Sequence, residues 1–342
     1  MTAKPLLETV LGQAPAGEQA VTLDGIGPQA GEGAIAIELA DPAGFDRLSY
    51  FATVLGTHPV PKHGVMNGQR VSGILFLSET PEDPDPWQHV SADLMHHAAH
   101  EIMEYHTRVP ASDVRKRLPM ILARAASRVA AQASEAPKLR SQTRQSEVTL
   151  HSAEATHEGF FLTRTFDLQH PRFDGTTSPR LTREVFVATD AVIVLPYDPV
   201  RDRVLLVEQF RMGPFARGDT FPWVLEPVAG RVDAGETNED AARRECEEEA
   251  GLTLGALEHV SSHYCSPGAS TEVFHCYVAL ADLPDEVAGL GGLATEHEDI
   301  RTHVLSFATA QDFLSSGEAN IGPMILLLLW LERERSRLRA SA

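Results

Sequence analysis

One short stretch constrains this chain more than any other. Residues 230–252 read GRVDAGETNEDAARRECEEEAGL. Seven positions of this stretch have a fixed spacing of glycine, glutamate and arginine: Gly230, Glu236, Arg244, Glu245, Glu248, Glu249 and Gly251. At average residue usage, seven specified positions recur by chance in about one in 10⁶ chains of this length. The spacing therefore points to a defined local structure and chemistry.

The segment after the first glutamate of this stretch is predicted to be a helix. Thr237 is a suitable N-cap, and Asp240 three residues later completes an approximate capping box. Most of the residues that follow are good helix formers. Gly251 suits the left-handed residue that commonly ends a helix.

Several charged side chains would lie together on this helix. Glu245, Glu248 and Glu249 are spaced i, i+3 and i+4, so their carboxylates project from one face, and Arg244 lies one turn before Glu248. Several oxygen ligands on one rigid element suit Mg²⁺ or Mn²⁺. An exposed acidic helix is the alternative, because a like-charge pair costs only about 0.2–0.5 kcal/mol on a solvated face. The complete pattern, with its outer glycines, favours the metal site.

The stretch resembles the Nudix box, G-x5-E-x7-R-E-U-x-E-E-x-G-U with U apolar, and matches it at every fixed position. The resemblance implies an α/β fold, the Nudix α/β/α sandwich built on a mixed sheet. It also implies hydrolysis of a nucleoside diphosphate that is linked to another group.

Segments outside the box resemble the ADP-ribose pyrophosphatase branch of that family. Ser266-Pro267-Gly268 places a proline sixteen residues after Gly251, an offset typical of this branch. Further similar segments are residues 183–186, 206–211, 223–226, 228–230 and 296–301. The S-Q-P-W-P-F-P-x-S signature of NADH hydrolases is missing, whereas GDP-mannose hydrolases share much of this framework and stay an alternative.

The resemblance implies a role for each residue of the site and AMP plus ribose 5-phosphate as products. Mg²⁺, or Mn²⁺ in its place, would be held by the carbonyl of Ala229 and by Glu245, Glu249 and Glu298. The catalytic group would comprise Glu296 as general base, Glu248, and Glu236 and Arg244, which orient the site. Substrate would be bound by Arg211 at the diphosphate, by Arg183, Glu184 and Phe161 at the adenine, and by Glu226, Pro267 and Gly268.

Composition restricts the partners and the compartment of the chain. Its net charge of −19 argues against nucleic acid, which needs a basic footprint, and against anionic membrane surfaces. The longest apolar run, residues 324–331, is too short to span a bilayer, and the N-terminus lacks the apolar core of a signal peptide. Three cysteines are too few for a disulfide framework, so we expect the cytoplasm.

At 342 residues the chain exceeds one typical domain. We predict a smaller α+β domain with its linker over residues 1–146 and the Nudix domain over residues 147–342. Strands are predicted at residues 71–77, 190–196, 203–209, 273–280 and 302–307, and helices at 93–106, 111–131, 309–316 and 323–338. Pro119 should break or kink its helix. Residues 14–33 and 79–86 are predicted to be loops, and residues 132–146 a linker.

The first domain offers two weaker signals. Residues 4–12 and 45–51 resemble a γ-glutamylcyclotransferase-like domain of the kind fused ahead of Nudix domains in alphaproteobacterial proteins linked to tellurite resistance. Its Tyr-Gly-Thr/Ser strand is missing, so we expect a non-catalytic domain. His96 and His100 are spaced i, i+4 and begin like the zinc motif H-E-x-x-H, but its last position holds Glu104. The histidine-rich segment is therefore either a metal site or a partly exposed polar helix, and we favour the polar helix.

Two other kinds of function are open. A Nudix-type sensor would bind ADP-ribose without cleaving it, but such sensors usually lose box carboxylates, which this chain keeps. The first domain could instead carry the function, as a cyclotransferase or a protein-interaction module. The resemblance also implies a homodimer, because related enzymes share the substrate pocket between subunits.

Overall fold

The computed structural model describes residues 4–13, 17–23, 33–38, 42–78, 90–133, 137–292 and 298–341. The chain divides into two compact units, Met1–Arg140 and Ser141–Ala342. The boundary that we predicted, after residue 146, is six residues further toward the C-terminus than this division after Arg140. The fold class is confirmed: a smaller α+β unit precedes a larger unit built on a mixed sheet.

The first unit, within its described residues, contains helices and one antiparallel sheet with strand order β2-β1-β3-β4. The helices are α1 (Lys4–Leu11), α2 (Pro42–Val54), α3 (Ala92–Glu104), α4 (Ala111–Arg115) and α5 (Leu118–Gln132). The strands are β1 (Gly17–Leu23), β2 (Gly33–Glu38), β3 (Thr57–Met66) and β4 (Gln69–Ser78).

The structure corrects two predictions in the first unit. Residues 14–33 are not a loop throughout, because residues 17–23 form β1, which a backbone ladder joins to β2. Residues 111–131 form two helices, and the break that we predicted at Pro119 lies at residues 116–117 instead. Pro119 lies in the first turn of α5, where its missing N–H removes no helical hydrogen bond. The loop predicted at residues 79–86 lies outside the described residues.

The core of the first unit forms where α3 packs on α5. Ala98 and Ile102 of α3 and Ile121 of α5 are fully buried. A buried ion pair joins the same two helices, because the Arg124 guanidinium donates to both carboxylate oxygens of Glu101. A buried charge is tolerated only when it is paired in this way, so the pair holds α3 and α5 in register.

The second unit contains the predicted strands and helices and two sheets. Its strands are β5 (Thr149–Glu158), β6 (Leu162–Gln169), β7 (Leu181–Val187), β8 (Ala191–Asp198), β9 (Arg203–Phe210), β10 (Trp223–Glu226), β11 (Val228–Arg231), β12 (Leu257–Tyr264), β13 (Val273–Leu280), β14 (Gly289–Gly291) and β15 (Ile300–Ser306). Its helices are α6 (Met212–Arg217), α7 (Asn238–Ala250), α8 (Phe307–Ser316) and α9 (Gly322–Ala340).

The larger sheet has helices on both faces. Its strand order is β12-β13-β8-β9-β15-β14, with β10 added beside β9 and β11 beside β8. β13 and β8 are parallel, whereas the other pairs are antiparallel, so the sheet is mixed. Successive residues of a strand point to opposite faces. Val192 and Val194 accordingly pack toward α7, while Ile193 and Leu195 pack toward α9.

The smaller sheet, β5-β6-β7, connects to the loop that precedes β13. The N–H of Phe186 on β7 donates to the carbonyl of Ala269, and the N–H of Thr271 donates back to the Phe186 carbonyl, at 2.8 and 3.0 Å. These bonds join the end of β7 to the Ser-Pro-Gly loop. No helix among the residues that the structure describes is both long and apolar enough to cross a membrane.

Candidate functional site

Helix α7 forms over the predicted segment and ends as predicted. The Thr237 hydroxyl accepts a hydrogen bond from the backbone N–H of Asp240, which satisfies one of the free donors of the first turn. Gly251 ends the helix in the left-handed conformation, with φ of 63°. Both ends of the helix are thereby determined locally, and its charged face is held at a defined rotation.

Arg244 is the centre of the charge network on that face. Its guanidinium donates to both carboxylate oxygens of Glu236, at 2.9 and 3.0 Å. It also donates to Glu245 at 2.7 Å and to Glu248 at 3.1 Å. A further bond to the carbonyl of Arg231 ties the helix to the end of β11. These carboxylates hold the pKa of Arg244 above its ordinary value, so the cation that orders them is permanent.

Gly230 makes room for one of these carboxylates. A Cβ atom at Gly230 would lie 1.8 Å from Cδ of Glu245 and 2.0 Å from its Oε1. Glu245 therefore occupies the space where any other residue of β11 would place its side chain. This close approach brings the Glu245 carboxylate beside the backbone of Ala229, the residue whose carbonyl we predicted to be a metal ligand.

Glu249 is the most deeply buried acid of the helix. Its side chain is 3% exposed, and the N–H of Ala229 lies 3.4 Å from its Oε2, which is long for a hydrogen bond. Burial, followed by the negative charges of Glu245 and Glu298, raises the pKa of Glu249 to about 9. Burial also raises the pKa of Glu245, against the opposing effect of Arg244. The pocket thus contains more negative charge than its protein partners neutralise.

The groups present fit a hard divalent cation. The donors around Glu245 and Glu249 are carboxylate and carbonyl oxygens, which Mg²⁺ and Mn²⁺ prefer, and a cation would neutralise the charge that burial leaves uncompensated. Among the described residues, no three His, Cys, Asp or Glu side chains are already gathered as a metal centre. Glu245, Glu249, the Ala229 carbonyl and Glu298 stay the predicted ligands.

The acidic loop is only partly described. Glu296, the predicted general base, lies outside the described residues, so the structure gives no position for it. Glu298 is described and half-buried, and its charge acts on both Glu245 and Glu249. A Cβ atom at Gly292 would lie 2.9 Å from Cβ of Glu298, so the glycine permits the close approach of this acid.

One residue near α7 escaped the sequence analysis. A Cβ atom at Gly291 would lie 2.0 Å from the carbonyl oxygen of Glu249, so β14 can pass the C-terminal turn of α7 only with glycine at this position. The glycine-rich segment 289–292 was a sign in the sequence that the backbone comes close to another element. The contact itself joins Gly291 to Glu249, which are far apart in sequence. Such a contact cannot be inferred from local spacing.

Arg211 and Glu226 form a pair at the edge of the sheet. Nε of Arg211 donates to Oε1 of Glu226 at 2.6 Å. Glu226 is buried, which raises its pKa, whereas the Arg211 side chain is partly exposed. The carboxylate consequently fixes one edge of the guanidinium and leaves the remainder of that planar fork available to an anion.

The residues predicted to bind adenine lie on the smaller sheet. Arg183 and Glu184 are exposed on β7. Phe161 precedes β6, and its ring packs edge-on against Phe186 with centroids 5.0 Å apart. Since the backbone of Phe186 is bonded to the loop that follows Pro267 and Gly268, the structure places Phe161 near that loop.

An additional aromatic contact links this region to β11. Phe160 packs edge-on against Phe161, with ring centroids 5.0 Å apart, and the Arg231 guanidinium carbon lies 5.6 Å from the centre of the Phe160 ring. Neither Phe160 nor Arg231 was singled out from the sequence, because their contact depends on how two sheets meet. Arg183 and Glu184 are not among the residues that this contact brings together.

Several known proteins are similar to the part of the chain that contains this site. The family model of the NUDIX domain matches residues 187–325. The chain is 37% identical to the ADP-ribose pyrophosphatase of Escherichia coli (strain K12) over 193 residues, which cover 56% of this chain and 91% of that protein. It is 36% identical to the ADP-ribose pyrophosphatase of Haemophilus influenzae over 199 residues, covering 58% of this chain and 91% of that protein.

The chain is also similar to a protein that is named for a different substrate. The GDP-mannose pyrophosphatase of Salmonella paratyphi B is 32% identical over 186 residues, which cover 54% of this chain and 95% of that protein. All three similarities cover little more than half of this chain. They leave the first unit without a counterpart in these relatives.

We expect Glu249→Gln to stabilise the metal-free protein in mildly alkaline solution. The folded protein holds the Glu249 proton up to about pH 9, whereas an unfolded chain releases it near the ordinary value of 4.5. Stability that is present below pH 4.5 is therefore lost as the pH rises toward 9. At pH 8 in EDTA the variant should melt a few degrees higher, since 1 kcal/mol shifts the Tm by about 2–4 °C in a unit of this size.

The measurement is the Tm in EDTA from pH 5 to pH 9, with the exposed neighbour Glu247→Gln as the matched control. The control should follow the pH dependence of the native protein. Parallel curves for Glu249→Gln and the native protein would show that this carboxylate is not protonated in the folded state.

We expect Gly230→Ala to displace the Glu245 carboxylate and weaken Mg²⁺ binding by at least about tenfold, because even groups outside the first coordination shell are worth that much. The measurement is the Mg²⁺ concentration needed for half of the metal-induced rise in Tm. Gly322→Ala is the control, because a Cβ atom there meets open space. Equal Mg²⁺ dependence in the two variants would contradict the role of the Gly230 approach.

Proposed function

Because the chain belongs to the Nudix family of hydrolases, we propose that its second unit hydrolyses the diphosphate of a nucleoside diphosphate sugar, with ADP-ribose as the preferred substrate. The reaction requires Mg²⁺, for which Mn²⁺ can substitute, and it releases AMP and ribose 5-phosphate. The proposal covers residues 141–342, the unit to which the relatives are similar.

The observation that carries the proposal is the buried acid pair on α7. Glu249 and Glu245 lie against β11 with more negative charge than Arg244 neutralises, and burial raises the pKa of both acids. A structural helix would place such side chains in water, where they lose no solvation. Acids that are held in this state beside a backbone carbonyl are suited to bind a cation.

The protein residues divide the chemistry among them. Glu245, Glu249, Glu298 and the Ala229 carbonyl would hold the Mg²⁺ ion, which would supply positive charge to the diphosphate and lower the pKa of water. Arg211, anchored by Glu226, binds a phosphate oxygen.

The remaining residues of α7 hold the site in place. Arg244 orients Glu236, Glu245 and Glu248 through its hydrogen bonds, so the acids keep their positions without substrate. Phosphoryl transfer depends chiefly on such positioning and on charge stabilisation.

The attacking water needs a base, and we propose Glu296 for this role. The base accepts a proton from water, and the water oxygen forms a bond to one phosphorus of the diphosphate. The bond between that phosphorus and the bridging oxygen breaks, and the bridging oxygen leaves with the other phosphate group, which gives AMP and ribose 5-phosphate. Glu298 follows Glu296 by two residues in the sequence, and its charge acts on Glu249. An acid on a loop can reach the water when the loop closes on substrate.

Hydrolysis of GDP-mannose is the second candidate. It is favoured by the similarity to the Salmonella enzyme, whose sequence is covered over 95% of its length. The same carboxylates would serve either substrate, because both contain a diphosphate. The choice between them rests on the nucleobase end, where the aromatic pair Phe161 and Phe186 lies beside the Pro267 loop.

We also propose that the active protein is a homodimer. Arg183 and Glu184 lie on the smaller sheet, and the contacts around Phe161 do not include them, so a second subunit could supply them to the pocket. Light scattering of the full chain should give twice the mass of one chain. A fully active monomer would contradict this proposal. The resemblance of the first unit to γ-glutamylcyclotransferase-like domains stays a prediction.

A substrate panel tests the proposed reaction. We expect ADP-ribose to have the highest kcat/KM among ADP-ribose, GDP-mannose, ADP-glucose, NADH and diadenosine polyphosphates, measured with Mg²⁺. Alkaline phosphatase releases phosphate from AMP but not from intact ADP-ribose, so released phosphate reports cleavage, and chromatography identifies the products. Glu249→Gln should lower kcat/KM by at least about 10²-fold, since electrostatic groups at a transferring phosphoryl have that effect.

The exposed neighbour Glu247→Gln is the control and should retain full activity. A higher kcat/KM for GDP-mannose would select the second candidate. Tight binding of ADP-ribose without turnover of any compound would contradict the hydrolase and indicate a sensor.

A further inference from the structure

A cavity of about 510 Å³ opens on the first unit, between α1, α2 and α3. It lies within one compact unit and is independent of the carboxylates of α7. The residues of its lining that carry polar chemistry are Glu8, Thr9, Arg47, His96, His100 and Glu104. The cavity is open to solvent rather than enclosed.

Two imidazoles in this cavity face the same point. His96 and His100 are one turn apart on α3, and their ring centroids are 4.7 Å apart. Nδ1 of His96 and Nε2 of His100 each lie 3.4 Å from the hydroxyl oxygen of Thr9 on α1. Both contacts exceed the usual hydrogen-bond range of about 2.7–3.2 Å. Thr9 therefore holds these rings weakly, although their nitrogens already converge.

The charge of the lining favours a cation. Glu8 and Glu104 contribute two carboxylates to the cavity. The guanidinium of Arg47 is engaged by the end of α1, because it donates to the carbonyls of Val10 at 2.7 Å and Thr9 at 3.2 Å. The acids therefore outnumber the cation, and the cation is already committed to backbone.

We propose that this cavity is a binding site for a divalent transition-metal ion of the kind that imidazole binds, such as Zn²⁺, Ni²⁺ or Cu²⁺, with His96 and His100 as its anchoring ligands. Glu104 follows His100 by one further turn, so its carboxylate is on the same side of α3 and can complete the coordination together with water. Paired histidines at i and i+4 are a recurring way for a helix to hold such an ion.

Two imidazoles do not by themselves complete the coordination of such an ion. No three His, Cys, Asp or Glu side chains of the described residues are gathered in advance, so ligands beyond the histidine pair come from Glu104 and solvent.

The two sites of the chain would differ in the metal they select. The α7 site offers oxygen donors alone, which suit Mg²⁺, whereas the cavity on the first unit offers nitrogen donors, which suit softer ions. Millimolar Mg²⁺ can consequently occupy the α7 carboxylates while a transition metal is titrated into the cavity.

The adjacent His97 provides a matched control. Its Nε2 lies 3.4 Å from Oε1 of Gln132 on α5, so this ring faces another helix and not the point shared by His96 and His100. His97→Asn removes an imidazole from the same helix without touching the proposed ligand pair. His96→Asn and His100→Asn each remove one anchoring ligand.

The experiment titrates the full chain with Cu²⁺ in the presence of millimolar Mg²⁺ and records electron paramagnetic resonance spectra. We expect one bound Cu²⁺ whose spectrum shows hyperfine coupling to the nitrogens of two imidazoles. Calorimetry with Zn²⁺ should give a single site, weakened more than about tenfold in His96→Asn and in His100→Asn, since even outer-shell groups contribute that much. His97→Asn should bind both ions as the native chain does.

Three outcomes would overturn the proposal. The native chain could show Cu²⁺ with oxygen ligands alone, binding could survive both anchoring substitutions, or His97→Asn could lose binding equally. Circular dichroism of each variant confirms the helical content, and the spectrum of the native chain decides the question even if a variant fails to fold. ADP-ribose turnover in Mg²⁺ should be unchanged in the three histidine variants, which separates this test from that of the hydrolase.

Discussion

The second unit depends on burying two carboxylates between α7 and β11. Glu249 has almost no contact with solvent, and Glu245 fills the space that Gly230 leaves beside the strand. Removing a carboxylate from water is costly unless a charge or a hydrogen bond compensates. Arg244 compensates part of this cost by bonding four groups, and the remainder appears as raised pKa values. A bound cation would compensate that remainder.

The rest of the sheet holds that arrangement in place. Alternate residues of β8 supply both cores, so the face that packs on α9 supports the face that carries α7. The α9 face is closed by fully buried leucines such as Leu327 and Leu328, which carry no polar group. Close packing of this kind leaves α7 little freedom to move away from β11. The face of the sheet that packs on α9 thus contributes mainly to stability, while the opposite face carries the acids of α7.

The metal sites proposed for the two units differ in their donor atoms. In the second unit the proposed ligands are oxygens around a helix that is capped at both ends, whereas α3 of the first unit pairs two imidazoles across one helical turn. A helix supplies the spacing in both cases, because residues four apart lie on one face. The neighbouring element then determines the surroundings of these side chains. In the second unit it is β11, which approaches Glu245 at Gly230, and in the first unit it is α1, whose Thr9 lies beside the two imidazoles.

Local spacing was enough to predict α7, its caps at Thr237 and Gly251 and the shared face of its acids, because each of these depends on residues within one or two turns. The main strands and helices of the second unit follow from hydrophobic patterning in the same way. β1 was missed because its ladder partner β2 is a separate segment of the chain, and the helix break was expected at Pro119 itself although a proline also suits the first turn of a helix. Only the tertiary structure decided that the Glu245 carboxylate lies against Gly230 and that the Glu249 carbonyl lies against Gly291. Only the tertiary structure likewise decided that burial raises the pKa of Glu249. These effects require surfaces that are formed by segments distant in sequence.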